Sequence, residues 1–203
     1  MLTMFKRHKV FISCYYDEGG YYKQLLEEWN ESAGIFVNQS VQEYDIDDGF
    51  SDEEIRRIIR DNYIRDSTVT IVLCGPETRT RKFVDWELHA TMYDSQENPK
   101  GGILAINLPE ADNYEYASHG DENLVSNAYG YREKHQQWWL ENRFHDLPDR
   151  LFWNVMYGVP ITIVNWETVY GHREVLGRLI DSAFQRRKTN RYRNDMPLRR
   201  RNS

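Results

Sequence analysis

Five short runs of aliphatic and β-branched residues recur along this 203-residue chain, and none alternates with polar residues as a half-exposed strand would. They read HKVFISC at 8–14, GIFVNQ at 34–39, TVTIVLC at 68–74, GGILAIN at 101–107 and VPITIVN at 159–165. Strands this continuously apolar need cover on both faces, which is the condition of a parallel sheet flanked by helices. Helical patterns stand between them. Leu25, Leu26 and Trp29 share a face within 21–31, and Ile55, Ile58, Ile59 and Tyr63 follow a capping box, Ser51 to Glu54. A further helix is predicted through Phe83 to Ala90, and a last one carries Val175, Leu176, Leu179, Ile180 and Phe184. Strand and helix in strict alternation predict an α/β fold, a doubly wound sheet of five parallel strands.

The spacing fails once. Residues 108–158, between the fourth and fifth runs, are about twice as long as an ordinary crossover and dense in Tyr, Trp, Asn and acids. They are read as an insertion with one helix near 131–142, of the kind that forms lids or contact surfaces. His119, His135 and His145 lie in it without metal-ligand spacing, so no metal site is expected. Residues 1–188, this insertion included, are read as a single domain.

Charge is uneven. Residues 186–203 hold eight Lys or Arg and one Asp, whereas the preceding 185 carry 18 basic and 31 acidic side chains. Residues 189–203 lack apolar periodicity and are predicted to be a disordered basic tail that adds no packed element. An acidic body repels phosphates, which argues against nucleic acid as a partner. No apolar run approaches the roughly 20 residues of a membrane helix, and the N-terminus lacks a signal-peptide pattern. Two cysteines, Cys14 and Cys74, fit a cytoplasmic protein with free thiols rather than a disulfide scaffold.

One acid is out of place. On the helical wheel Asp85 and His89 share a narrow polar strip, but Glu87 falls inside the apolar arc between the directions of Phe83 and Val84. A carboxylate there either reaches solvent at the helix edge, pairs with an Arg, or has a chemical task. In a doubly wound sheet of order 2-1-3-4-5 the ends of strands one and three lie side by side, where ligands bind. That edge would collect Ser13, Cys14, Tyr15 and Tyr16, the Cys74-Gly75-Pro76 turn, Glu87 on the next helix, and Asp45 from the acidic loop 43–49. The tyrosines and Trp86 can stack on an aromatic ligand or simply pack at the sheet edge, and Ser13 can bond a ligand or cap a turn. The chain has no GxGxxG and no GxxxxGK[ST], which removes the common dinucleotide and P-loop readings. A flavodoxin would need a phosphate loop after strand one, and a phosphate-accepting receiver an Asp where Cys74 stands.

Two blocks carry a family resemblance. Lys9-Val-Phe-Ile-Ser13 looks like the first box of TIR domains. Residues 67–78, followed by Phe83-Val-Asp-Trp-Glu-Leu88, resemble the bacterial TIR-like family that includes the TIR subunit of Thoeris antiphage systems. The likeness runs over about 8–107 and resumes around Asn127-Ala-Tyr-Gly-Tyr131 and strand five. It implies a flavodoxin-like TIR fold, with Glu87 as the catalytic glutamate of a W-V-x-x-E-[IL] pattern and Phe83 in place of the usual Trp. The implied activity is that of an NAD nucleosidase or ADP-ribosyl cyclase, with NAD as substrate and no cofactor. Its product would be an ADP-ribose-derived nucleotide that activates an effector protein. The substrate contacts implied are Ser13, Cys14, Tyr15, Tyr16, Asp45, Phe83 and Trp86. The alternative is a non-catalytic TIR-like module that works by homotypic assembly, as a homo-oligomer.

Overall fold

A computed structural model describes residues 6–40, 49–96, 99–125, 129–130 and 143–202. Its centre is a parallel sheet of β1 (Lys9–Cys14), β2 (Val37–Asn38), β3 (Val69–Cys74) and β4 (Gly102–Asn107), with two short strands, β5 (Tyr116–Ala117) and β6 (Tyr129–Gly130), and a last strand β7 (Thr162–Asn165). The seven strands run in the order β2-β1-β3-β4-β7-β5-β6. Its first five members, all parallel, are the 2-1-3-4-5 sheet expected from the sequence. The insertion adds the remaining two, β5 meeting β7 in antiparallel sense at Tyr116 and Ile163.

Continuous apolarity has the anticipated cause, with successive residues feeding opposite layers. Val69, Ile71 and Leu73 enter one core with Val10, Ile12, Leu104 and Ile106. That layer is closed by α1 (Tyr16–Ala33) and by the last helix, α6 (Arg173–Arg186), which contribute Leu26, Leu176, Leu179 and Ile180. Val72 and Cys74 face the other way, with Ile103, Ala105 and Ile163, against Val84 and Leu88 of α3 (Lys82–Met92) and Leu151 and Phe152 of α4 (Asp149–Met156). A third cluster, on the same side, joins Phe11 of β1 to Ile55 and Ile59 of α2 (Asp52–Asn62) and to Trp86 and Ala90. A one-turn helix, α5 (Trp166–Val169), links β7 to α6. No helix among the described residues is long and apolar enough to cross a membrane.

Local differences from the sequence reading have simple causes. The capping box is present, Ser51 Oγ accepting from Glu54 N at 3.3 Å and Glu54 Oε2 accepting from Ser51 N at 2.9 Å. β2 is shorter than the run at 34–39. Gly34 ends α1 at φ 61°, and the amides of Ile35 and Phe36 both donate to Asn30 Oδ1 at 2.9 Å instead of to a strand. α1 starts well before its apolar pattern, because Gly19 lets the helix lie directly on β1. A Cβ there would come within 2.6 Å of the Cys14 Cβ. The helix anticipated near 131–142 lies outside the described residues.

The tail is a correction. Residues 189–202 do not hang free but run as a strap over α2, α3 and α4. Leu198 is buried in the cluster of Phe11, Ile55 and Trp86. Buried Arg150 of α4 donates to the carbonyls of Met196 and Pro197 at 3.2 Å each and to Asn194 Oδ1 at 3.0 Å. Buried Asn154 donates to the carbonyl of Arg193 at 3.0 Å. Main-chain carbonyls are the main currency of these contacts, so the strap needs no apolar periodicity and gave no such signal.

Candidate active site

Glu87 sits mid-way along α3, one residue beyond Trp86, on the side turned to the carboxyl end of β1. It is buried, and its Oε2 accepts a hydrogen bond from the hydroxyl of Ser13, itself 1% exposed. Ser13 pairs in register with Val72, so this contact lies where β1 and β3 approach their ends side by side. A charged acceptor bonded to a hydroxyl is one way a buried carboxylate is made tolerable. Of the choices the sequence left open for Glu87, solvent at the helix edge is thereby removed.

The next residue, Cys14, is half-buried, and its thiol is pushed up to about 12, chiefly by burial, with the opposing pull of Lys23 next in size and smaller upward pushes from the charges of Glu87 and Glu27. At neutral pH it is a thiol and not a nucleophilic thiolate. Cys74 ends the adjacent strand, is fully buried, and is pushed up further by burial. Both cysteines are free. Register pairs Cys14 with Leu73, and Cys74 with Asn107 on the far side.

Tyr15 caps α1 with its backbone, its carbonyl accepting from Gly19 N at 2.7 Å. Its ring is covered by the Arg81 guanidinium, 3.7 Å from the centroid, and its hydroxyl donates to Asp17. That bond raises the phenol above its ordinary range. Arg81 also pairs with Glu77. Tyr16 is 63% exposed, with its ring over Gly20. Glu18, which the sequence reading passed over, ties this loop to the turn after β3: it accepts from Glu77 N at 2.7 Å and from Thr78 Oγ1 at 3.2 Å. Gly75 leaves room for this acid, since a Cβ there would fall 2.6 Å from the Glu18 carboxylate and push it aside. Burial raises the Glu18 carboxyl, opposed by the Thr78 bond and the charge of Arg81. The only sign of this role in the sequence is an acid in the first helical turn beside YYDEGG.

Of the residues anticipated at the site, the structure therefore gathers Ser13, Cys14 and Glu87, whereas Tyr15 is turned to Arg81 and Asp17 and Tyr16 to solvent. Trp86 is a correction. It is fully buried, and its indole N–H donates to the Arg199 carbonyl at 2.7 Å, so it offers no face to a ligand and packs the cluster under the strap. Phe83 lies edge-on to Trp86 at 5.1 Å, half-buried against that cluster. Asp45 lies outside the described residues. A groove of about 550 Å³ does open on α3, lined by Asp52, Arg56, His89, Tyr93, Tyr192 and Asn194 among others. Glu87 is not part of its wall, so it is not the cleft of the β1 and β3 ends.

A family model for the Thoeris protein ThsB, TIR-like domain, matches residues 11–113, slightly more than half of the chain. The chain belongs to that family. The match to the ThsB TIR-like domain spans β1 to the segment after β4, and so contains Ser13, the turn after β3 and Glu87. Comparison with curated proteins gave no match. The strap and α4 fall beyond the matched residues.

Proposed function

We propose that this ThsB-family chain is an NAD-consuming enzyme that breaks the nicotinamide–ribose bond, with Glu87 as the catalytic residue. The observation that carries the reading is the buried Glu87 carboxylate held against Ser13 at the shared edge of β1 and β3. Nicotinamide leaves as a neutral base from a pyridinium, so no general acid is needed and the usual carboxylate pair of glycoside cleavage reduces to one. The remaining task is to stabilise an oxocarbenium-like ribosyl centre, for which a preorganised anion in a water-poor site is suited. When ribose enters, its hydroxyls donate to Glu87 in the place now held by Ser13. Cys14, kept as a thiol, stays out of the chemistry. Tyr15, stiffened by Arg81, walls the mouth.

The product is an ADP-ribose-derived nucleotide, and its role is to activate an effector in antiphage defence, a reading supported by membership of the Thoeris family. The experiment is incubation of the purified protein with NAD and identification of products by mass spectrometry, alone and with an infected-cell extract as trigger. Nicotinamide release that disappears in Glu87→Gln is the expected result. A wild type that releases none under either condition, yet assembles through homotypic contacts, would replace the enzyme with a scaffold.

A further inference from the structure

The strap is laid along the same helix that carries Glu87, and in a definite sense. Asn194 Nδ2 donates to the His89 carbonyl at 2.9 Å, Arg199 accepts from Trp86 Nε1 at 2.7 Å and donates through its own N–H to Asp85 Oδ2 at 2.9 Å, and Asn202 Oδ1 accepts from Lys82 N at 2.9 Å. As strap numbers rise, helix numbers fall, so the two segments run antiparallel for nearly the whole length of α3. The last contact supplies something the helix lacks locally. Arg81, at the N-cap position, gives no side-chain cap, and Asn202 fills that place from 120 residues away in sequence.

The strap is also tied to its surroundings on both sides. Arg150 of α4 donates to both oxygens of Asp85, at 2.8 and 3.2 Å, and also holds the strap carbonyls. Arg199 pairs with Asp149 at 2.6 Å, Arg200 with Asp52, and Leu198 N donates to Asp52 at 3.1 Å. Three carboxylates from three helices, Asp52, Asp85 and Asp149, thus converge on one basic segment.

We propose that residues 194–202 are a positioning element for the active site, fixing the rotation and seat of α3 so that Glu87 meets Ser13. The proposal rests on the reading of Glu87 as the catalytic acid. α3 is gripped on the sheet side by Val84 and Leu88, and on the strap side at Lys82, Asp85, Trp86 and His89. Glu87 projects between the two grips, and a small rotation of the helix would carry its carboxylate off the Ser13 hydroxyl. The strap contacts to α3 described above fall on Lys82, Asp85, Trp86 and His89, so the strap acts on orientation and not on substrate affinity.

Asn202→Ala in the full chain tests this, with Asn202→Asp as the conservative rescue, because a carboxylate caps a helix N-terminus as well as an amide does. Expected is a fall in kcat for NAD cleavage of about tenfold or more, as for a reacting group misplaced by a fraction of an ångström. KM should be unchanged, and Asn202→Asp should restore turnover. A chain shortened after Met196, which keeps the Arg150 contacts to Asn194 and Met196, should fall further while retaining its circular dichroism. Turnover unchanged in Asn202→Ala, or a loss that appears wholly in KM, would overturn the proposal. The position of Glu87 is also read without turnover, from its carboxyl ¹³C resonance, assigned by its loss in Glu87→Gln. It should move in Asn202→Ala and return in Asn202→Asp. A wild type that never cleaves NAD would end the enzymatic reading alone, whereas a ¹³C resonance unmoved by Asn202→Ala would end the positioning role.

Discussion

Trp86 and Glu87 are neighbours on one helix and lead opposite lives. On the Trp86 side, α3 is covered by an indole in a closed apolar cluster, an N–H bonded to a distant carbonyl, and Asp85 locked to Arg150. On the Glu87 side, a carboxylate faces the end of a strand and bonds a hydroxyl that a ligand hydroxyl could replace. On the proposed reading, the contrast separates two tasks that one helix performs together. The interlocked contacts lie on the Trp86 side, and the Glu87 edge keeps a hydroxyl partner that the proposed substrate would exchange.

The largest effect that would break this contrast is on stability. Arg150→Met leaves Asp85 with a buried charge and strips the strap of its central donor, so unfolding in urea should show a loss of about 3–5 kcal/mol. A loss below about 1 kcal/mol, the range of a surface pair, would mean that the Trp86 side is not the rigid one. Next comes Glu87→Gln, which should keep the unfolding midpoint within the error of measurement and lower NAD turnover by about 10²-fold or more. If it instead unfolds the protein, Glu87 belongs to the structural side. Ser13→Ala sharpens the picture at the exchangeable end. Removal of a hydroxyl bonded to a buried carboxylate should cost about 1.5 kcal/mol or more in urea unfolding, while kcat should fall far less than in Glu87→Gln, because ribose hydroxyls take the place of Ser13 in the proposed complex.

The smallest effect concerns the polar strip. His89 is pushed down from 6.5 to about 4, chiefly by burial and then by Arg150, and its Nδ1 is buried with no hydrogen-bond partner among the described residues. The folded state thus favours neutral imidazole, and the unfolded chain takes up the proton first as pH falls. Stability from this residue is complete above 6.5 and declines as pH drops towards 4. His89→Gln should flatten that part of a urea-midpoint profile measured against pH, without altering its course above neutrality.

How legible this was depends on which force holds each part. The sheet rests on apolar burial, and the runs at 8–14, 68–74 and 101–107 announce it residue by residue. Glu87 could be singled out because a wheel position inside an apolar arc is itself a statement about burial. The Asp85–His89 strip was visible as polar, but its partners were not: Arg150 and the strap cover it from far along the chain. Trp86 was misplaced because an aromatic near a proposed cleft says nothing of which way its ring turns. The strap and α4 depend on one buried guanidinium reaching main-chain oxygens 46 and 47 residues away, a pairing with no local pattern. The family-model match ends at residue 113, before either of them.

The close seat of Gly19 on Cys14 has a consequence for the molecule as a timepiece. A thiol reagent attacks the thiolate, and burial holds Cys14 almost wholly in the thiol form. Modification must then wait for α1 to lift from β1, when the sulfur regains an ordinary acidity. Cys74, sealed between β3 and its neighbours, is reached only when the sheet itself comes apart. The two sulfurs of one chain therefore keep two clocks, one set by the breathing of the first helix and the other by global unfolding.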